Sequence, residues 1–240
     1  MKTTSSRTTL AGRTRALPVA LLTLALSPLC AWAAGTATID TGGQSNTLVW
    51  LNDSTIRIDT PLAHGGYFLA RNGKVYMVNT AGKGGAPSVM EIDGMMQGLA
   101  QMDSSTNNDM DSPLAALHIS SIKATGKEET VAGIEGEVYE LTITDKNGKR
   151  RNTQAVFTDD PLTVEMTAAY LAFTESLLGA EMMAEFKNAL PKDKPGVLRA
   201  GKEMLVLSIN ANQPAATLFD LPSKPINIGE MIKQLSQQRK

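Results

Sequence analysis

The stretch from Thr55 to Thr80, TIRIDTPLAHGGYFLARNGKVYMVNT, constrains this chain more than any other. Its Asn72-Gly73 dipeptide suits a two-residue type I′ turn, because both central positions need positive φ, which Asn and Gly tolerate best. Counting back from that turn pairs Arg71 with Lys74, Ala70 with Val75, Leu69 with Tyr76, Phe68 with Met77 and Tyr67 with Val78. Side chains alternate along a strand. Tyr67, Leu69, Tyr76 and Val78 therefore share one face, and Phe68, Ala70, Val75 and Met77 the other. Both faces are apolar. A hairpin on a protein surface shows one polar face, so this one requires cover on both sides, from a helix, a second sheet or a ligand.

The first 33 residues read as an export address. Lys2, Arg7, Arg13 and Arg15 form a basic n-region without acids, Leu17 to Leu29 an apolar h-region, and Ala31-Trp32-Ala33 an A-x-A cleavage site. The apolar run is too short and too Pro-interrupted for a transmembrane helix, which wants ~20 residues. Leu29 stands before Cys30 where a lipobox needs a small residue, and Thr14 separates Arg13 from Arg15, so neither lipidation nor a twin-arginine signal is indicated. The expectation is general secretion into a bacterial periplasm, with cleavage after Ala33 and a single domain over residues 34–240. Cleavage would leave 19 basic against 24 acidic residues, a net charge of −5, which argues against a nucleic-acid partner. The only cysteine leaves with the signal. Stability must then come from a hydrophobic core rather than disulfides.

The rest of the chain reads as a meander, then helices, then strands again. Thr47–Leu51 and Thr55–Thr60 are strands about an Asn52-Asp53-Ser54 turn, and Ser88–Asp93 is a third beyond the hairpin. Met95, Leu99 and Met102 recur at helical spacing, which predicts a short amphipathic helix, and polar Asp103–Ser112 follows it. Strands resume at His118–Lys123. A second hairpin pairs Glu137–Thr144 with Arg150–Phe157 about Asn147-Gly148, its Tyr139, Leu141 and Ile143 face apolar and its Val138, Glu140 and Thr142 face polar. Asp159-Asp160-Pro161 starts the longest helical pattern, Thr163–Leu190. One stripe there is Met166, Tyr170, Phe173 and Leu177, beside a second of Val164, Ala168, Leu171, Leu178 and Met182; the two are wide enough together to lie across a sheet. Gly179 interrupts the pattern and marks a break into two helices. Strand-like Glu203–Ile209 and Phe219-Asp220-Leu221-Pro222 close the chain.

Chemistry-bearing motifs are few. His64 sits beside Gly65-Gly66 and His118 at a strand start, without metal-ligand spacing, and no G-x-S-x-G, H-E-x-x-H or P-loop occurs. Glu175, Glu181 and Glu185 read as the solvated edge of the long helix. Met90, Met95, Met96, Met102 and Met110 cluster, and thioethers bind soft Cu(I). Their core-facing spacing, without His or Cys, favours an adaptable apolar lining instead. No catalytic residues, metal or cofactor are therefore expected.

Thr55-Ile-Arg-Ile-Asp59 followed by Arg71-Asn-Gly-Lys-Val-Tyr-Met-Val78 resembles the lipoprotein-carrier superfamily (LolA/LolB-like), in which an Arg-containing strand precedes a strand–Asp/Asn-Gly-Lys–strand hairpin. The chain is more similar still to a family of exported bacterial proteins of unknown function thought to share that fold. Val131-Ala-Gly-Ile134, Asp159-Asp160-Pro161, Gly196-Val-Leu198 and Phe219-Asp-Leu-Pro222 match its further motifs, so the resemblance covers most of residues 47–222. It implies an α+β fold, an antiparallel unclosed barrel (half-barrel) wrapped around one long and one short helix, with an apolar cavity for acyl chains. In the carriers the strand arginine helps hold lid helices closed, and Arg57 occupies that position. Two arrangements of this strand stay open. Either Thr55, Arg57 and Asp59 face the cavity, or Ile56 and Ile58 do and Arg57 pairs outward with Asp59.

The expected function is non-catalytic binding of a lipid or other hydrophobic ligand by a periplasmic protein that is not integral to the membrane. Candidate cavity residues are Arg57, Tyr67, Leu69, Tyr76, Val78, Met95, Leu99, Met102, Tyr170 and Phe173. The alternative is a protein-interaction or envelope-sensor module, with its cavity filled by its own helices and an envelope protein as partner.

Overall fold

A computed structural model describes residues 34–61, 65–80, 86–92, 118–144 and 148–227. The expected export segment, His64, the helix expected over Met95–Met102 and the Asp103–Ser112 stretch lie outside them. Among the described residues the fold is mixed α+β: one unclosed sheet of twelve strands and two α-helices.

Strands β1 (Gly35–Thr41), β2 (Gln44–Asn52), β3 (Thr55–Asp59), β4 (Tyr67–Arg71), β5 (Lys74–Asn79) and β6 (Ser88–Glu91) form an antiparallel meander. A second run, β7 (His118–Val131), β8 (Ile134–Thr144), β9 (Arg150–Thr158), β10 (Gly196–Ala200) and β11 (Met204–Ala211), returns from the far edge until β11 pairs with β1. Two-residue β12 (Ile226–Asn227) adds in parallel to β6, so β12 and β7 are the sheet's edges. The β4–β5 register matches the predicted pairing at all five positions, with Asn72 at φ 54° and Gly73 at φ 72°.

Helix α1 (Pro161–Leu178) starts where the sequence indicates. The Asp160 carboxylate accepts from the Thr163 N–H at 2.8 Å, and Pro161 occupies the first turn, where its missing N–H costs nothing. The break at Gly179 is real: at φ 95° it ends α1, its N–H donating to the Glu175 carbonyl, and α2 (Ala180–Ala189) begins. Helix α1 lies against β1, β2, β3, β5, β10 and β11, and α2 against β7. The sheet-facing stripe holds Met166 and Phe173 as expected, but also Thr163, Thr167 and Ala169. These threonines are buried where α1 approaches β10 most closely. The Thr167 hydroxyl accepts from the Val197 N–H at 2.9 Å beside an irregularity in the β9–β10 register. A Cβ on Gly196 would meet the Thr158 carbonyl at 2.9 Å, so only glycine allows this contact.

Two expectations are corrected. Strand β7 runs on to Val131 instead of ending near Lys123, and turns into β8 through Ala132 and Gly133, both at positive φ. Its Lys127-Glu128-Glu129 run carries no apolar alternation, so edge pairing rather than burial makes it a strand. The second hairpin is also less polar than its pattern indicates. Val138 joins the helix-side core, and Tyr139 and Leu141 are buried on the opposite face with Phe157 and Val197.

Candidate functional site: two faces of the β2–β6 sheet

Strand β3 decides which face is which. Ile56 and Ile58 point to the helix side, in one core cluster with Trp50, Ala70, Val75, Met166 and Phe173. Arg57 points to the opposite, outer side. It is bidentate to Asp59, with Nη2 at 2.7 Å from Oδ1 and Nε at 3.1 Å from Oδ2, and its guanidinium carbon lies 3.6 Å over the Tyr67 ring centre. Of the two arrangements left open by the sequence, the isoleucines face the helix and Arg57 pairs outward.

The predicted site residues therefore fall into two sets. Tyr67, Leu69, Tyr76 and Val78 share the outer face with Arg57, where they pack with Val49, Val89 and Phe219. Tyr170 and Phe173 lie on α1, on the other side of the sheet. The single cavity expected to join the two sets is corrected by this parity: strands of alternating side chains cannot bring them to one face. Met95, Leu99 and Met102 lie outside the described residues.

On the outer face the cover comes from the C-terminal segment, which the sequence reading did not place. A 3₁₀ turn, Ala216–Phe219, lies against β3 and buries the Phe219 ring. Arg57 Nη1 donates to the Leu218 carbonyl at 3.1 Å, and Arg71 Nη1 to the Phe219 carbonyl at 2.7 Å with Asp220 3.6 Å away. Farther along, Asn227 donates to Glu91, which also pairs with Lys74. The signal for this cover was present: an aromatic and a leucine in Phe219-Asp-Leu-Pro222, within a stretch otherwise poor in large apolar residues.

The helix-side face carries a cross-strand row whose cover thins toward the β6 edge. Leu48 pairs with Ile58, Ile58 with Phe68, Phe68 with Met77, Met77 with Met90 and Met90 with Ile226. Leu48 and Ile58 are buried, Phe68, Met77 and Met90 only half-buried, and Ile226 is 51% exposed. Half-buried Tyr170, Ala172 and Leu177 of α1 pack against the same cluster, and the Phe68 and Phe173 ring centres lie 6.2 Å apart. Burial pushes the Tyr170 phenol pKa above its ordinary value. The strip missed from the candidate list is thus Phe68, Met77 and Met90, which share parity with the isoleucines of β3.

A small cavity of about 120 Å³ opens near the β4–β5 turn, lined by Ile56, Ala70, Arg71, Lys74, Ala172 and Ser176 among others. It is well below the ~300–1,000 Å³ of small-molecule pockets. At the far end of the sheet, His118 Nδ1 lies 2.6 Å from Glu185 of α2, which also accepts the Ile119 N–H at 2.7 Å. His118 is thereby engaged in fastening α2 to β7. Among the described residues no three His, Cys, Asp or Glu side chains gather as a metal-binding group, and no helix is long and apolar enough to cross a membrane. No protein-family model matches the chain, and neither a curated protein nor a solved structure matches it.

Proposed function

We propose that this chain is an exported periplasmic protein without catalytic activity, which binds a lipid or other hydrophobic ligand on the helix-facing side of its sheet. In this reading the sheet is a half-barrel around α1, as in the lipoprotein carriers that the chain resembles. The observation that carries the proposal is the row Phe68, Met77 and Met90, apolar in register yet half-buried, beside Tyr170 and Leu177. An apolar row with incomplete cover is where an acyl chain gains the most by leaving water, about 0.8 kcal/mol per buried CH₂. Unbranched, polarizable methionines suit a ligand of variable shape. Arg57 takes no part in this site; it serves the outer face.

Native mass spectrometry of the purified protein, with titration of a fluorescent fatty-acid probe, tests the reading. A co-purifying lipid, or probe binding abolished by Met77→Glu with the circular dichroism spectrum unchanged, is expected. No recovered ligand and no probe binding would overturn it.

A second reading is an interaction or sensor module whose interior is filled by its own helix. It is favoured by the burial of Met166, Ala169 and Phe173 in the centre of the core. It expects no probe binding, and recovery of an envelope protein by cross-linking in the periplasm.

A further inference from the structure

The outer face of β3–β6 is covered by residues 216–227 of the chain itself. The contacts are of a kind that reads a peptide. One aromatic anchor, Phe219, is 2% exposed among side chains including Tyr67, Leu69 and Tyr76. Two guanidinium groups take successive main-chain carbonyls, Arg57 that of Leu218 and Arg71 that of Phe219. Arg71 also stands 3.6 Å from the acid that follows the anchor, Asp220. Ile226 and Asn227 of the segment pair as a strand with the β6 edge.

The grip is also narrow. Leu218 is 39% and Ile226 51% exposed, so Phe219 and the half-buried Leu221 supply the segment's apolar hold on this face. Arg57 has partners outside the segment as well, Asp59 and the Tyr67 ring. The partners described for Arg71, the Phe219 carbonyl and Asp220, both belong to the segment.

We propose that this groove is a peptide-recognition site, held closed in cis by residues 216–227. It accepts in trans a segment of a partner protein that carries an aromatic residue followed by an acid. The aromatic pocket selects the anchor, Arg71 selects the acid, and main-chain capture with strand addition at β6 supplies affinity without demanding further sequence. The Phe219 pocket lies on the opposite face from the ligand row, which the segment meets only through Ile226 beside Met90 at the β6 edge.

The test uses the full chain with Phe219→Ala, which removes the cis anchor, and a labelled synthetic peptide of residues 214–227, followed by fluorescence anisotropy. The peptide is expected to bind the variant at least tenfold more tightly than the wild-type chain. Adding Arg57→Ala or Arg71→Ala to the variant should weaken that binding tenfold or more, and a peptide carrying Phe219→Ala should not bind. A folded Phe219→Ala chain that fails to bind, or a wild-type chain that binds equally well, would overturn the proposal. Hydrogen exchange on the wild-type chain decides the matter even if the variant does not fold. Exchange of residues 216–227 well ahead of β2–β4 supports a detachable segment; exchange only together with those strands overturns it. A concentration-dependent wild-type dimer that is lost in Phe219→Ala would assign the groove to a second copy and overturn the partner assignment.

Discussion

The same strands, β2 to β5, are covered on their two sides by different means. On the helix side, α1 buries Thr163, Met166, Thr167, Ala169, Leu171 and Phe173, joined to the sheet through many strands. On the outer side, a short segment contributes one fully buried ring and hydrogen bonds from two half-exposed arginines. Burying one large apolar side chain stabilises by about 1.5–3 kcal/mol, and a hydrogen bond to a charged group adds a comparable or smaller amount. Cover of the first kind is part of the cooperative fold. Cover of the second kind is the part that the peptide-site proposal expects to open locally.

The largest expected effect lies on the helix side. Met166→Ala removes a fully buried side chain beneath α1 and should lower stability by about 2–5 kcal/mol in urea denaturation, with the transition still cooperative. Phe219→Ala should cost less, about 1.5–3 kcal/mol, because the segment can detach and leave the rest folded. A loss for Phe219→Ala equal to that of Met166→Ala would break the comparison. Next comes the start of α1. Asp160→Ala deletes the side-chain acceptor for the Thr163 N–H and should cost ~1 kcal/mol, read from the same denaturation curves.

The smallest effect concerns pH at the α2–β7 contact. The hydrogen bond from His118, then that from the Ile119 N–H, hold the Glu185 carboxyl below its ordinary value of 4.5. A carboxyl depressed on folding contributes stability above its unfolded pKa and loses it as pH falls through the folded value. Both side chains are largely exposed, so water screens the pair and the contribution is small. Glu185→Gln should slightly flatten the fall of stability as pH drops below the ordinary carboxyl value, and leave stability at neutral pH nearly unchanged.

Much of this architecture was legible in the residues. Asn72-Gly73 set the hairpin register, Asp160-Pro161 the helix start and Gly179 its break, because each acts through local backbone geometry. The face of Arg57 was not legible. Alternation sorts β3–β5 into two sets, but when both are apolar it does not say which set meets the helix. The polar continuation of β7 beyond Lys123 was missed for a related reason, since its pairing with β8 supplies what its side chains do not signal.

The candidate site divides along the same line. Tyr67, Leu69, Tyr76 and Val78 were identified correctly as a buried face, and Tyr170 and Phe173 as core-facing helix positions. Joining them in one cavity required a parity that β3 does not have. Phe68, Met77 and Met90 entered the site only once α1 was seen to lie on their side with incomplete cover.

By itself the sequence determined that both faces of the hairpin must be covered, because no polar face existed to meet water. Only the tertiary structure decided what covers each: α1 on the isoleucine side, Phe219 and its flanking carbonyls on the arginine side. The reason is distance along the chain. Turns and caps are chosen within a few residues, whereas Arg57 meets Leu218 across 161 positions, a contact that depends on the packing of everything between.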